Sequence, residues 1–172
     1  MNSKFKTQNS KLVFVALGSN LGDSRQIILQ AFEQLQEFSV APILKSSLWQ
    51  TTPVDCPPGS PKFVNAVAGL LPLADETPES LFKKLRKVEK EFGRRPKKVT
   101  NEPRSLDLDL IMFGDEIRNS PKLILPHPRA HLRRFVLQPL SEIAPGFVLP
   151  GQGKMVAEVL AALATDETIT QL

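Results

Sequence analysis

The sequence predicts an α+β fold: a ferredoxin-like β-α-β-β-α-β core, mainly antiparallel sheet with helices packed on it, plus C-terminal strands and a helix. Three observations lead there. Short β-branched runs and segments of helical period follow one another as strand, helix, strand, strand, helix, strand. The 172 residues, 41% of them hydrophobic, are enough to bury about 70% of the unfolded surface in one core without disulfides or structural metal. The charged fraction of 23% is that of a globular chain and argues against disorder. One domain over 1–172 is expected, with 1–11 as a flexible tail.

Each element has its own local reason. LVFVAL, residues 12–17, is a buried strand that ends in the turn-prone GSNLGD. Asp23 or Ser24 can cap a helix whose apolar positions Ile27, Ile28, Ala31, Phe32, Leu35 and Phe38 share one face. ILKSSLWQ, residues 43–50, alternates as a strand, and FVNAVAGLL, residues 63–71, should pair with it antiparallel across a proline-rich connection. Thr77 followed by Pro78 and Glu79 marks a helix start, with Leu81, Phe82, Leu85, Val88 and Phe92 as its buried face. LDLDLIMF, residues 106–113, is the last strong strand. LILPHPR and RRFVLQPLSEIAP should add sheet edges, and residues 155–163 a closing helix.

Charge and cysteine content narrow the function. The net +4 hides two basic stretches: 83–104 holds ten Lys or Arg against three Glu, and 118–134 holds five against none. They suit a polyanionic ligand, although solvated lysines on a surface are the plainer reading. No apolar run is long enough to span a bilayer and the start, MNSKFKTQNSK, has no signal-like stretch, so a cytoplasmic protein without a membrane partner is expected. With Cys56 alone and only His127 and His131 beside it, a zinc site is implausible.

Asp107 and Asp109 stand two apart on a strand, so both carboxylates project to one face while Leu106, Leu108 and Leu110 fill the other. Like charges so placed repel unless a cation lies between them, and Mg²⁺ accepts one or two carboxylates, completing its shell with water and phosphate oxygens. Arg94, Arg95 and Arg104 flank the pair, and guanidinium groups bind phosphate oxygens two at a time. Metal with polyphosphate is the chemistry of phosphoryl transfer. No Walker or dinucleotide pattern appears, and GSNLGD alone reads as a tight turn. Phe63 and Asn65 share a strand face, a ring to stack a heterocycle and an amide for its edge. His127 lies between Pro126 and Pro128, an extended setting that can aim the imidazole at a phosphate.

From about Leu12 to Pro150 the chain resembles the 6-hydroxymethyl-7,8-dihydropterin pyrophosphokinases of folate biosynthesis. The resemblance rests on ALGSNLGD, SSLWQTTP with FVN, the E-x-x-x-GR after the second helix, PRSLDLDLIMFG and LPHPRAHLRRFVLQPLSEIAP, in that order. It implies Mg-dependent transfer of pyrophosphate from ATP, the co-substrate, to the pterin hydroxymethyl group, with release of AMP and two Mg²⁺ ions. By the same resemblance Asp107 and Asp109 are the metal ligands, and Arg94 and Arg104 the catalytic arginines. Glu89, Lys122, His127 and Arg133 hold ATP, while Thr51, Val54, Phe63, Asn65 and Phe135 line the pterin pocket. Many relatives carry an arginine and a Trp-Gly where this chain has Pro96, Asn101 and Glu102. A loop closing through Arg95, Lys97 or Lys98, or weaker ATP retention, is the expectation there. A monomer without nucleic-acid partner is expected. The alternatives are a basic RNA-binding module, whose aromatic signature is missing, and a metal-dependent nucleotide phosphohydrolase.

Overall fold

A computed structural model describes residues 11–172; all but Lys11 of the expected tail lies outside the described residues. The elements are β1 (Val13–Ser19), α1 (Ser24–Gln36), β2 (Leu44–Lys45), β3 (Trp49–Thr51), β4 (Phe63–Leu70), α2 (Pro78–Glu91), β5 (Asp107–Phe113), β6 (Arg118–Asn119) and β7 (Ile124–Leu125). A 3₁₀ turn (Ala130–Leu132), α3 (Arg134–Ile143), α4 (Val156–Ala162) and β8 (Ile169–Gln171) follow. The main sheet runs β5-β1-β4-β3-β8 with β2 also on β4, and every pairing is antiparallel. This is the expected core order, with β8 added at the far edge.

β1 lies between β5 and β4, and its alternation decides the layers. Val13, Val15 and Leu17 face α1 and α2, packing with Ile28, Phe32, Leu81 and Leu85. Phe14 and Ala16 face the opposite way, toward Val136, Leu137 and Leu140 of α3 and Val156 of α4. Each large side chain removed from water here contributes about 1.5–3 kcal/mol. Both helices of the core lie on one face, as expected. The other face is covered over much of its length by α3 and α4.

Caps follow the sequence. Asp23 accepts from the Gln26 N–H at 3.2 Å, so it rather than Ser24 caps α1. Thr77 and Ser80 exchange side-chain and backbone bonds at the start of α2, with Pro78 in the first helical position.

Two expectations need correcting. The strand expected over 43–50 is interrupted, because the Ser46 hydroxyl accepts from the Val67 N–H at 2.9 Å and takes a ladder position on β4. RRFVLQPLSEIAP is not a sheet edge but the helix α3, whose buried Val136, Leu137 and Leu140 fall at helical spacing around an internal Pro139. Among the described residues no helix is long and apolar enough to cross a membrane.

Candidate active site

The sheet register lays the site out in one row. Gly18 of β1 stands opposite Asn65 of β4 on one side and Asp107 of β5 on the other. The next pair on β1, Ala16, is flanked by Val67 and Asp109. The α3 face is thus bare at this end of β1, since glycine and alanine raise nothing above the backbone. A cavity of about 320 Å³ opens over that floor. A Cβ at Gly18 would meet Asn65 Oδ1 at 3.0 Å, so the amide would have to yield to any larger residue. Gly18→Ala is therefore expected to displace the Asn65 amide and raise the KM for a ligand bound to it roughly tenfold, with little change in Tm, as steady-state kinetics and thermal melting will show.

Asn65 is buried, and its amide donates to Thr51 Oγ1 at 2.6 Å. This fixes the amide orientation and leaves its carbonyl toward the cavity floor. Phe63 and Phe135 border the same cavity, as does Val54. Each ring carries a guanidinium: Arg104 lies 5.6 Å from the Phe63 centroid and Arg133 lies 5.4 Å from that of Phe135. All five residues expected to line the pterin pocket therefore meet in one cavity, together with Asp107, Asp109, Arg104 and Arg133.

The two aspartates are not equivalent. Asp107 takes a 2.6 Å bond from Arg94 and has Arg104 Nε at 3.2 Å, while Asp109 has only Arg86 at 3.9 Å. Burial pushes the Asp107 carboxyl up, but Arg104, Arg94 and Arg86 outweigh it and hold it below the usual range. Burial and the charge of Asp107 push Asp109 above that range. No cluster of three or more metal-type ligands occurs among the described residues. Two carboxylates fit a hard cation that takes its remaining oxygens from water and phosphate, and do not fit a cage built of protein alone.

Glu89, expected to hold ATP, needs correcting. It is 1% exposed and both its oxygens are committed: to Arg86 at 2.8 and 2.9 Å, to Arg94, and to the Leu108 N–H at 2.7 Å. Arg86 donates in turn to the Leu108 carbonyl at 2.6 Å. The pair caps the open edge of β5 and orients Arg94 against Asp107. Burial pushes Glu89 up to about 7 against the pull of Arg86 and Arg94. Arg86 escaped the sequence reading, although its place three residues before Glu89 on a helix was the available signal.

Arg94 borders a second, basic cavity of about 500 Å³ beside Arg95, Lys97 and Lys98. Lys122 is exposed in the β6–β7 turn, outside both cavities. His127 lies outside them as well, anchored by its N–H to the Ile111 carbonyl at 2.8 Å. Its Nδ1 accepts from the Arg129 N–H at 3.1 Å, so the neutral ring carries its proton on Nε2. Burial, with Arg133 and Arg129, pushes its pKa down to about 4. Unfolded chains then take up a proton near pH 6.5 that the folded chain refuses, so stability present above pH 6.5 is lost toward pH 4. Urea midpoints at pH 7 and 5 are expected to differ less in His127→Gln than in wild type.

The 92–106 loop is tied to the 52–62 loop across the cavity. Asn101, in the left-handed region at φ 55°, donates from Nδ2 to the Asp55 carbonyl at 2.7 Å, and Arg129 reaches the Asp55 carboxylate at 3.3 Å. An asparagine amide, not Arg95, Lys97 or Lys98, joins the two loops over the cavity. Asn20 of GSNLGD holds them from below. It exchanges bonds with the Arg104 backbone at 2.9 and 3.1 Å and donates to the Pro61 carbonyl at 3.2 Å.

A helix-covered antiparallel sheet with a carboxylate pair on its edge strand and arginines beside it defines an α+β protein whose site suits a phosphorylated ligand. The sequence profile of 7,8-dihydro-6-hydroxymethylpterin-pyrophosphokinase (HPPK) matches residues 14–145, and the chain belongs to that family. A Pseudomonas aeruginosa 2-amino-4-hydroxy-6-hydroxymethyldihydropteridine pyrophosphokinase is 40% identical over 153 residues, covering 87% of this chain and 90% of its own length. The Pneumocystis carinii folic acid synthesis protein is 37% identical over 159 residues, but the match spans only 21% of that longer protein. A Plasmodium falciparum HPPK-DHPS crystal structure with pteroate superposes with a TM-score of 0.67 at 13% identity over 88% of this chain and 43% of its own, a likeness of fold.

Proposed function

We infer that this chain transfers pyrophosphate from ATP to the hydroxymethyl group of 6-hydroxymethyl-7,8-dihydropterin, the reaction of its family, and that it does so as one domain. The observation that carries this reading is the single cavity holding two phenyl rings and a fixed amide beside a carboxylate pair ringed by arginines. The pterin stacks between Phe63 and Phe135 with its hydrogen-bonding edge on Asn65 and Thr51. Its hydroxymethyl group then points along the row toward Asp107 and Asp109. These two aspartates would hold Mg²⁺, which would supply charge neutralisation for the phosphates.

The pterin oxygen attacks the β-phosphorus of ATP while the bond from that phosphorus to the α–β bridging oxygen breaks. The electron pair leaves with AMP, and the hydroxyl proton passes to solvent. Arg104 and Arg94 take up charge on the transferring group; Arg133 and the Nε2–H of His127 are donors for the nucleotide phosphates. A primary alcohol in line needs little base catalysis, so positioning and charge neutralisation supply the rate. Incubation with ATP, Mg²⁺ and the pterin alcohol should yield AMP and pyrophosphorylated pterin in equal amounts. AMP with free pyrophosphate, or ADP, would instead mark a phosphohydrolase or a simple kinase.

A further inference from the structure

Residues 164–171 lie beyond the stretch that matches the family profile, yet they form a wall of the cavity, through Thr165 and Glu167. The segment is held firmly. β8 pairs with β3, Thr51 facing Ile169, and the Thr52 N–H donates to the Thr168 carbonyl at 3.2 Å while the Thr168 N–H returns to Thr52 Oγ1 at 3.3 Å. The Glu167 N–H is fixed on Thr165 Oγ1 at 3.2 Å.

The Glu167 carboxylate reaches across 32 positions of sequence to accept from the Phe135 N–H at 3.0 Å. Phe135 is the second residue of α3, and its N–H is one of the four that a helix start leaves without an internal partner. The residue in the capping position, Arg133, supplies no side-chain bond. A distant carboxylate thus does the capping, at the end of the helix where the backbone dipole favours an anion. Its negative charge also favours the guanidinium of Arg133, which burial and Arg129 oppose.

We propose that Glu167 is a positioning residue of the pterin pocket: by capping α3 at the Phe135 N–H it holds the Phe135 ring in place over the cavity. The inference rests on the pterin reading, and it makes the last turn-and-strand of the chain part of the substrate site. Thr51, on the wall facing Phe135, is locked to the same segment, so one short stretch sets both sides of the slot.

The test compares wild type, Glu167→Ala, Glu167→Gln and, as a control on the exposed side of β8, Thr170→Ala. Glu167→Ala is expected to raise the pterin KM roughly five- to tenfold and to leave the ATP KM within about twofold. Glu167→Gln keeps an acceptor oxygen and should recover about half of that loss on the logarithmic scale; Thr170→Ala should match wild type. Amide hydrogen exchange at Phe135 is expected to accelerate about tenfold in Glu167→Ala, in the absence of any substrate. Unchanged exchange at Phe135, an unchanged pterin KM, or equal rises in both KM values would overturn the proposal. Failure of wild type to make pyrophosphorylated pterin would instead sink the activity assigned above, and the exchange measurement still decides the cap.

Discussion

Asp109→Ala is expected to lower kcat on the order of 10³-fold while the chain stays folded. The asymmetry of the acidic pair makes this the cleaner of the two substitutions. Among the described residues Asp109 has one ion-pair partner, Arg86 at 3.9 Å, so little of the fold depends on it. Asp107, by contrast, neutralises Arg94 and Arg104, and its removal strips the partly buried Arg104 of its carboxylate and leaves Arg94 to Glu89 alone. Two carboxylates on one strand face cost free energy together; burial and its neighbour push Asp109 up. A site kept for stability would not retain that repulsion, whereas a site for a divalent cation needs both charges. Asp109→Asn should therefore leave Tm unchanged or raise it in the absence of Mg²⁺, and should abolish the rise in Tm that Mg²⁺ with ATP gives wild type. Near-normal turnover in Asp109→Ala, or a lower Tm in Asp109→Asn, would contradict a metal role.

What the sequence made legible was local. Thr77-Pro78-Glu79 announced α2 because a cap and a first-turn proline act within one turn, and the Asp107/Asp109 face followed from the two-residue period of a strand. The pairing order followed from the succession of elements, since short connections leave few topologies. What stayed hidden depended on partners far along the chain. Ser46 reads as an ordinary strand residue until Val67 is beside it, and only then does its hydroxyl replace a ladder bond. The 133–145 stretch becomes a helix because Phe14, Ala16 and Ile111 on the second sheet face need covering, which outweighs the one backbone bond that Pro139 removes. Motif resemblance alone assigns Glu89 to ATP; burial against β5 makes it the support of Arg86 and Arg94. Of the site itself, the cavity-lining positions were legible through motif resemblance. Asn20 and Glu167, which hold those positions still, were not, because a bond to a partner far along the chain leaves no spacing signature, and Arg86 showed only its three-residue spacing from Glu89.

Arg104→Ala is expected to cost about 10²–10³-fold in kcat with the ATP Kd changed by no more than a few-fold, which separates stabilisation of the transferring group from ground-state binding. Arg104 is the cation placed between the two halves of the site: its guanidinium stacks 5.6 Å from the Phe63 centroid and its Nε lies 3.2 Å from Asp107. Its backbone is clamped by Asn20 from both its N–H and its carbonyl, so the side chain enters the cavity already oriented. A preoriented donor stabilises developing charge without reorganising during the reaction, which is why the loss should fall on kcat. Arg104→Lys should recover little, because an ammonium neither stacks flat on a ring nor offers two parallel donors. The comparison with Arg94 sharpens the assignment. Arg94 is bonded to buried Glu89 as well as to Asp107, so Arg94→Ala strips a partner from a buried carboxylate and should lower Tm as well as kcat. Rapid-quench measurement of a single turnover, beside ATP binding by calorimetry, separates the two. Equal losses in ATP affinity and in the chemical step for Arg104→Ala would make it a binding residue and leave Arg94 as the arginine that acts in the transition state.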